Sequence, residues 1–375
     1  MTESTIPLIG YSDKLSVRPG DTIAFKVSCT SPTPYQAKLV RITCGDPNPA
    51  GPGIKEADTP AEFTGSYPAR VQQINLGSYA KIVPGSAFDG VDCLTFSATV
   101  WPTLLKKESQ GVISRFDPKT GKGLAVAVGP NGVEVIVGTE GGEPLRLSTE
   151  TPLRERTWYK VWGSIDASTG KVFVGQQELT GPASSTVRQS TTLDGEAAIE
   201  ADAPILIAAL DGEPVSGHFN GKIEAPTIFG AAIDPSVKET NLSARWDFSS
   251  GISTTRVIDM VPLGLHGYVY NAPARAMTGS NWQAEEMRWQ HAPETYGAIH
   301  FHDDDIADCN WETDFSFTVP DDLKTGLYGA RLQSGDDWEI LPFVVCPPKG
   351  KQTADLCVII PTFTYTIYGN QARRD

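Results

Sequence analysis

The chain has 375 residues, 40% of them apolar and 20% charged, with 36 Gly and 28 Pro, enough for two or three turn-rich domains with a sizeable core. A formal net charge of −14 argues against nucleic acid and anionic membrane as partners, and no apolar run reaches membrane-spanning length. The N-terminus lacks the basic-then-apolar order of a secretory leader, and six scattered cysteines without a C-x-x-C pair read as buried thiols of a reduced compartment, so a cytoplasmic location is expected.

In chain order, Leu15-Ser16-Val17 runs into the turn Arg18-Pro19-Gly20-Asp21. Thr22-Ile23-Ala24-Phe25-Lys26-Val27 and Ala37-Lys38-Leu39-Val40-Arg41-Ile42 then alternate at period two. Such runs predict half-buried antiparallel strands. Residues 46–53, rich in Pro and Gly, form a loop. The same style returns at Phe315-Ser316-Phe317-Thr318-Val319, at Gly326-Leu327-Tyr328-Gly329-Ala330-Arg331-Leu332 and at residues 338–345. Neither end has enough strands for a sandwich, but together they do. The expected unit is an immunoglobulin-like sandwich of residues 1–74 and 286–348, split by an insertion.

The insertion, residues 75–285, reads as a second all-β unit. Strands are predicted over 92–100, 123–128, 133–137, 158–165 and 171–174, with an Asn131-Gly132 hairpin turn. The turns Asp117-Pro118-Lys119-Thr120-Gly121-Lys122 and Asp166-Ala167-Ser168-Thr169-Gly170-Lys171 each place Gly late in the loop, where a positive φ is needed. Trp158, Trp162 and Phe173 are expected to be buried, and residues 70–77 and 180–200 to be polar loops. The spacing of short strands predicts a jelly roll. Trp158-Tyr159-Lys160-Val161, Asp166, Thr169-Gly170-Lys171-Val172 and Phe219-Asn220-Gly221-Lys222-Ile223 resemble laminin-G or concanavalin-like lectin sandwiches. That resemblance implies an alternative function as a non-catalytic carbohydrate- or protein-binding module. Trp246-Asp247-Phe248-Ser249 and His266-Gly267 would offer stacking for a sugar, although a buried strand and a turn explain them as simply.

The last segment differs in style. Leu356-Cys357-Val358-Ile359-Ile360 is wholly apolar and rich in β-branched residues, which predicts a strand buried on both faces, as in a parallel sheet. Residues 349–375 therefore read as the start of an α/β domain. A lone parallel strand needs partners, so the chain is expected to be a fragment or to be continued by a second polypeptide. Ligands of such sheets bind beyond the carboxyl ends of the strands, here near Tyr365, Tyr368 and Asn370. Tyr365 and Tyr368 lie three apart and share a face of a first helical turn. A free phenol titrates at about 10, so ligation needs a strong Lewis acid such as ferric iron. Aromatic packing of a helix start is the plainer reading.

No nucleophile elbow, phosphate loop or H-E-x-x-H motif is present. The densest polar cluster is His300-Phe301-His302-Asp303-Asp304-Asp305. On a strand, His300, His302 and Asp304 would share one face, as a metal site requires. A solvated turn after a strand end, or a contact with a neighbouring domain, accounts for the same residues.

Taken in order, five stretches carry a further resemblance. They are Gly10-Tyr11-Ser12-Asp13 with Val17-Arg18-Pro19-Gly20-Asp21; Cys44-Gly45-Asp46 with Gly51-Pro52-Gly53; Ala298-Ile299 with the His300 cluster; Trp311-Glu312-Thr313-Asp314-Phe315 with residues 319–328; and Pro361-Thr362-Phe363-Thr364-Tyr365-Thr366-Ile367-Tyr368-Gly369-Asn370. Together they resemble the N-terminal half of the large (β) subunit of the N,N-dimethylformamidase family. The resemblance implies an amide hydrolase that converts small formamides to formate and an amine. It implies a mononuclear ferric iron held by two tyrosines and a glutamate, a small partner subunit and a homo-oligomer. Only the first tyrosine ligand falls in this chain, at Tyr368 or alternatively Tyr365. Asn370, His300, His302 and Asp304 would support the site or a domain contact. The iron site is expected to be completed downstream, and the chain by itself to be inactive.

Overall fold

The computed structural model describes residues 6–46, 48–180, 185–212 and 214–368. The chain divides into two compact units, residues 1–74 with 309–375, and residues 75–308. Almost all regular structure is β, as the alternating runs imply.

The first unit is built from both ends of the sequence. Thr22–Cys29 lies between Leu8–Ser12 and Phe315–Thr318 in a three-stranded sheet. A second sheet runs Ser16–Val17, Asp337–Val345, Gly326–Ser334, Tyr35–Gly45, Ile54–Thr59, with Gly65–Tyr67 also on Tyr35–Gly45. The period-two pattern explains the core. Ile23, Phe25 and Val27 are buried while the residues between them are partly exposed. Phe25 stands opposite Phe315 in register and their rings stack at 5.1 Å. Phe63 stacks on Phe315 at 4.9 Å and Phe343 meets Phe25 edge-on at 5.7 Å. Aromatic pairs at these distances add to the area they bury.

The second unit is one long antiparallel sheet path folded over a single large core. Cys93–Pro102 lies between Tyr159–Asp166 and Gly221–Phe229. The two echoing turns close the hairpins Gln110–Asp117/Lys122–Gly129 and Tyr159–Asp166/Lys171–Glu178. In each, the aspartate caps its own turn: Asp117 accepts from Lys119 N at 2.9 Å and Thr120 Oγ1 at 2.8 Å, and Asp166 from Ser168 N at 3.1 Å. Gly121 and Gly170 take φ of 70° and 67°, as side-chain-free positions allow.

Several expectations are corrected. Trp162 is buried, but Trp158 is only half-buried and Phe173 is exposed. Val172 and Val174 face the core, so alternation turns Phe173 to the other side. Trp162 also faces away from the core; its indole lies across Gly175, where any Cβ would overlap it, and beside Ala232 and Ile233 of a covering loop. Thr186–Thr192, inside an expected loop, is an edge strand on Lys171–Glu178. The sequence reading returns the chain to the first unit at 286. Instead, residues 286–308 stay in the second, because Ala298–Phe301 pairs with Gly221–Phe229. Of the six cysteines, expected to be buried thiols, only Cys29 is buried, and Cys357 is exposed.

The apolar run 356–360 forms no strand. No sheet edge pairs with it, so Leu356, Val358 and Ile359 are exposed. Burial on both faces needs a neighbour on each side, and the described residues provide none. Thr362–Tyr368 follows as a short helix. Among the described residues no helix is long and apolar enough to cross a membrane.

The stack around Phe315 generates a prediction. Phe315→Ala should lower the stability of the first unit by about 3–5 kcal/mol, the usual cost of emptying a buried aromatic site. Loss of hydrogen-exchange protection of the Thr22–Cys29 amides at moderate urea would report it. Unchanged protection would mean the two ends of the chain do not depend on this contact.

Candidate functional site

The densest constellation of titratable groups lies on one face of the sheet in the second unit. In register, Trp101 of Cys93–Pro102 stands opposite Lys222 of Gly221–Phe229, and Lys222 opposite His300 of Ala298–Phe301. Directly opposed residues in a sheet point to the same side, so the three side chains form one row. The Lys222 ammonium lies 5.0 Å from the Trp101 ring and 5.9 Å from the Trp158 ring. It donates to Thr278 Oγ1 at 2.7 Å and to the Thr278 carbonyl at 3.1 Å. Lys222 is buried, and desolvation lowers its pKa. Indole faces attract a cation, which together with Thr278 holds the charge in place.

His300 continues the row, and its ring lies 4.1 Å from that of His302. The two imidazoles are driven apart electrically. Burial, then the His302 and Lys222 charges, push His300 down to about 4, and its Nε2 is buried without a hydrogen-bond partner among the described residues. The hydrogen bond between His302 Nδ1 and Asp305 Oδ2, at 3.3 Å, pushes His302 upward against the effect of its own burial. Asp305 is fixed in turn: Ser78 Oγ donates to it at 2.7 Å, and Ser78 Oγ accepts from His302 N at 3.1 Å. Nearby, Asp303 N donates to Asn220 Oδ1 at 3.2 Å, and the Asp303 carboxylate pairs with Lys107.

This geometry reassigns the acidic partner of the histidines. The strand ends at Phe301, so alternation stops before Asp304, which is exposed. A turn brings Asp305 back to His302 instead. Among the described residues no group of three or more His, Cys, Asp or Glu is disposed to hold a metal ion. The row supplies one neutral imidazole, one imidazole biased toward its protonated form, and a held ammonium.

The other sequence candidates fall on the C-terminal segment of the first unit. Tyr365 and Tyr368 both belong to the Thr362–Tyr368 helix, and Tyr365 is exposed. Asn370 lies outside the described residues. The possible sugar platform is absent at Trp246. Its indole is fully buried and donates to the Leu265 carbonyl at 2.6 Å, while His266 Nδ1 accepts from Asp259 N at 3.1 Å. Sequence reasoning missed Lys222, Trp101, Ser78 and Asp305 as companions of the histidines. Register between strands far apart in the sequence, Trp101 with Lys222 and Lys222 with His300, assembles the row, and no local spacing signals it.

Comparison with known proteins places these residues in a wider context. Residues 274–372 match the family model described as "N,N-dimethylformamidase beta subunit-like, C-terminal". The chain is 35% identical to the N,N-dimethylformamidase beta subunit of Paracoccus aminophilus over 98% of its own length and 52% of that protein. It is 34% identical to the subunit of the same name from Alcaligenes sp., again over 98% of its length and 52% of the relative. The chain thus spans about half the length of the curated relatives it matches. Among solved structures, a putative carbohydrate binding protein from Bacteroides ovatus aligns with 70% of this chain and 91% of its own, at 11% identity and a TM-score of 0.37.

The opposed histidine shifts give a pH prediction. Below about 6.5 the unfolded chain protonates His300, but the folded chain does so only near 4, so His300 erodes stability as pH falls through that window. His302 has the opposite sign: its contribution is full below 6.5 and is lost as pH rises through its raised folded value. His300→Gln should therefore flatten the loss of unfolding temperature between pH 7 and pH 4.5, and His302→Gln should destabilise most on the acid side. Parallel pH profiles for both variants and the unaltered chain would contradict the assigned protonation states.

Proposed function

Since this chain belongs to the N,N-dimethylformamidase beta-subunit family, we propose that it is the β-sandwich half of a multi-subunit hydrolase of small formamides. The products would be formate and an amine. The observation that carries this reading is 35% identity along 98% of the chain to a subunit of that name. The word "subunit" in the names of both relatives supports an assembly with a second kind of chain, for which we propose a small companion and a cytoplasmic setting. The chain covers 52% of each curated relative. Catalysis is therefore assigned to the longer polypeptide with its companion.

Within that reading the Thr362–Tyr368 helix supplies one phenolate ligand to iron, at Tyr368 in preference to Tyr365. The exposed apolar run 356–360 supports this placement. An apolar stretch of this kind is stable when further strands cover it, and such strands would hold the following helix beside the remaining ligands.

The test uses the polypeptide extended to the relatives' length together with its companion subunit. The assembly should release formate from dimethylformamide and retain iron with a visible tyrosinate-to-iron charge-transfer band. The 375-residue chain by itself should do neither. Tyr368→Phe should abolish the band and the bound iron while the far-ultraviolet spectrum stays β-type. Tyr365→Phe is the control, and loss of iron in that variant alone would move the ligand to Tyr365. Retention of iron and hydrolysis in both variants would refute the tyrosine assignment.

A further inference from the structure

A second face of the insertion is built differently from the histidine row. Tyr79–Ile82 pairs with Gly267–Tyr270, with Lys81 opposite Tyr268 and Tyr79 opposite Tyr270. Gly267–Tyr270 pairs in turn with Arg256–Asp259, with Arg256 opposite Tyr268. Lys81, Tyr268 and Arg256 thus share one row, and Tyr79 and Tyr270 form the next row on the same side. The other side of these strands, with Ala80, Ile82, Val257 and Val269, belongs to the core.

This outward side is bare where a comparable one is covered. Over Cys93–Pro102 and Tyr159–Asp166, a loop closes the outer face: Thr95 Oγ1 donates to the Ala231 carbonyl at 2.6 Å and accepts from Ile233 N at 3.0 Å. Beneath it Trp162 is only 1% exposed. By contrast, Tyr268 is 53% and Tyr270 44% exposed. Both strands are interior to the sheet, so this exposure is not the fraying of an edge. Tyr270 is stacked on Tyr79 with ring centroids 5.0 Å apart and an interplanar angle of 8°, which presents the pair as a rigid block.

The charges on this face are unlike those of the chain as a whole. The chain carries a net −14, yet Lys81 and Arg256 have no carboxylate partner among the described residues. Asp117 and Asp202 line a cavity of about 290 Å³ that Lys81 borders, but Asp117 is engaged by its own turn. Tyrosine and arginine are over-represented at interface cores, and a rigid aromatic loses little entropy when it anchors a partner. Two unpaired cations beside such anchors match a surface that carries carboxylates.

We infer that the Tyr79–Tyr270, Tyr268, Lys81 and Arg256 face docks an acidic segment of the companion subunit. The inference rests on the multi-subunit reading given above and names where the second chain sits.

The test uses the assembled complex of the extended chain and its companion. A zero-length carbodiimide cross-link, which joins an amine to a carboxylate, should connect Lys81 to an Asp or Glu of the companion. Arg256→Glu and Tyr268→Ser should each weaken assembly about tenfold or more, and added salt should weaken the unaltered complex but less so Arg256→Glu. Lys171→Glu, at an exposed position away from this face, should leave assembly unchanged. All three side chains are exposed, so unchanged unfolding temperatures confirm that folding is intact. A Lys81 cross-link to another part of the same polypeptide or to a second copy, or undiminished affinity in both face variants, overturns the inference. Formamide hydrolysis by the unaltered complex is scored separately. An active complex with an unlinked Lys81 rejects the docking face and leaves the hydrolase reading standing, and a chain that assembles with no second subunit rejects the docking face whatever its activity.

Discussion

Alternation across a paired strand is the constraint on which the rest of this protein depends. Each strand offers two faces, and burying one fixes what the other can present. Cys93–Pro102 illustrates it. Its core side carries Leu94, Phe96, Ala98 and Val100, so Thr95, Ser97 and Trp101 must face outward. The in-register partners then decide what stands beside Trp101, and they supply Lys222 and His300. A slip of one residue in either pairing would send the lysine into an apolar core, where an unpaired charge is strongly disfavoured. The buried face therefore enforces the polar row.

That row shows how a small cluster separates two chemically identical groups. His300 and His302 are two residues apart and their rings nearly touch. One sits among groups that penalise its charge, and the other has a carboxylate held by Ser78. Two adjacent cations would repel, so protonating His302 itself opposes protonating His300. The result is a fixed asymmetry, built by a strand end and a turn that places Asp305 where Asp304 was expected.

The C-terminal segment obeys the same constraint in the opposite sense. Residues 356–360 have the composition of a strand buried on both faces, and the described residues offer no partner for either face. They stay exposed, and the helix that follows holds Tyr365 in solvent. Composition can demand burial, but only neighbouring strands can provide it. The tyrosine face around Tyr268 is the complementary case, in which the strand pairing is complete and the outward side is left uncovered.

Much of the fold was legible in the sequence. Alternation at 22–27, 37–42 and 315–319 marks strands and their buried sides, because period two is a local property. The Asp-to-Gly turns at 117–121 and 166–170 are equally local, since each aspartate caps its own loop. Thr186–Thr192 was not legible: an edge strand pairs through its backbone and needs no apolar side, so its composition reads as loop. The histidine pair was visible as a motif, but its partners were not. Trp101, Lys222 and His300 are distant in sequence, and Ser78 reaches Asp305 only through chain return. Sequence determines which residues can be strands and which of their faces are apolar, since these depend on neighbours one to four positions away. Which strands pair, in what register, and therefore which polar side chains meet on the outward face, is decided only by the tertiary structure, because that choice is made by packing the whole core at once.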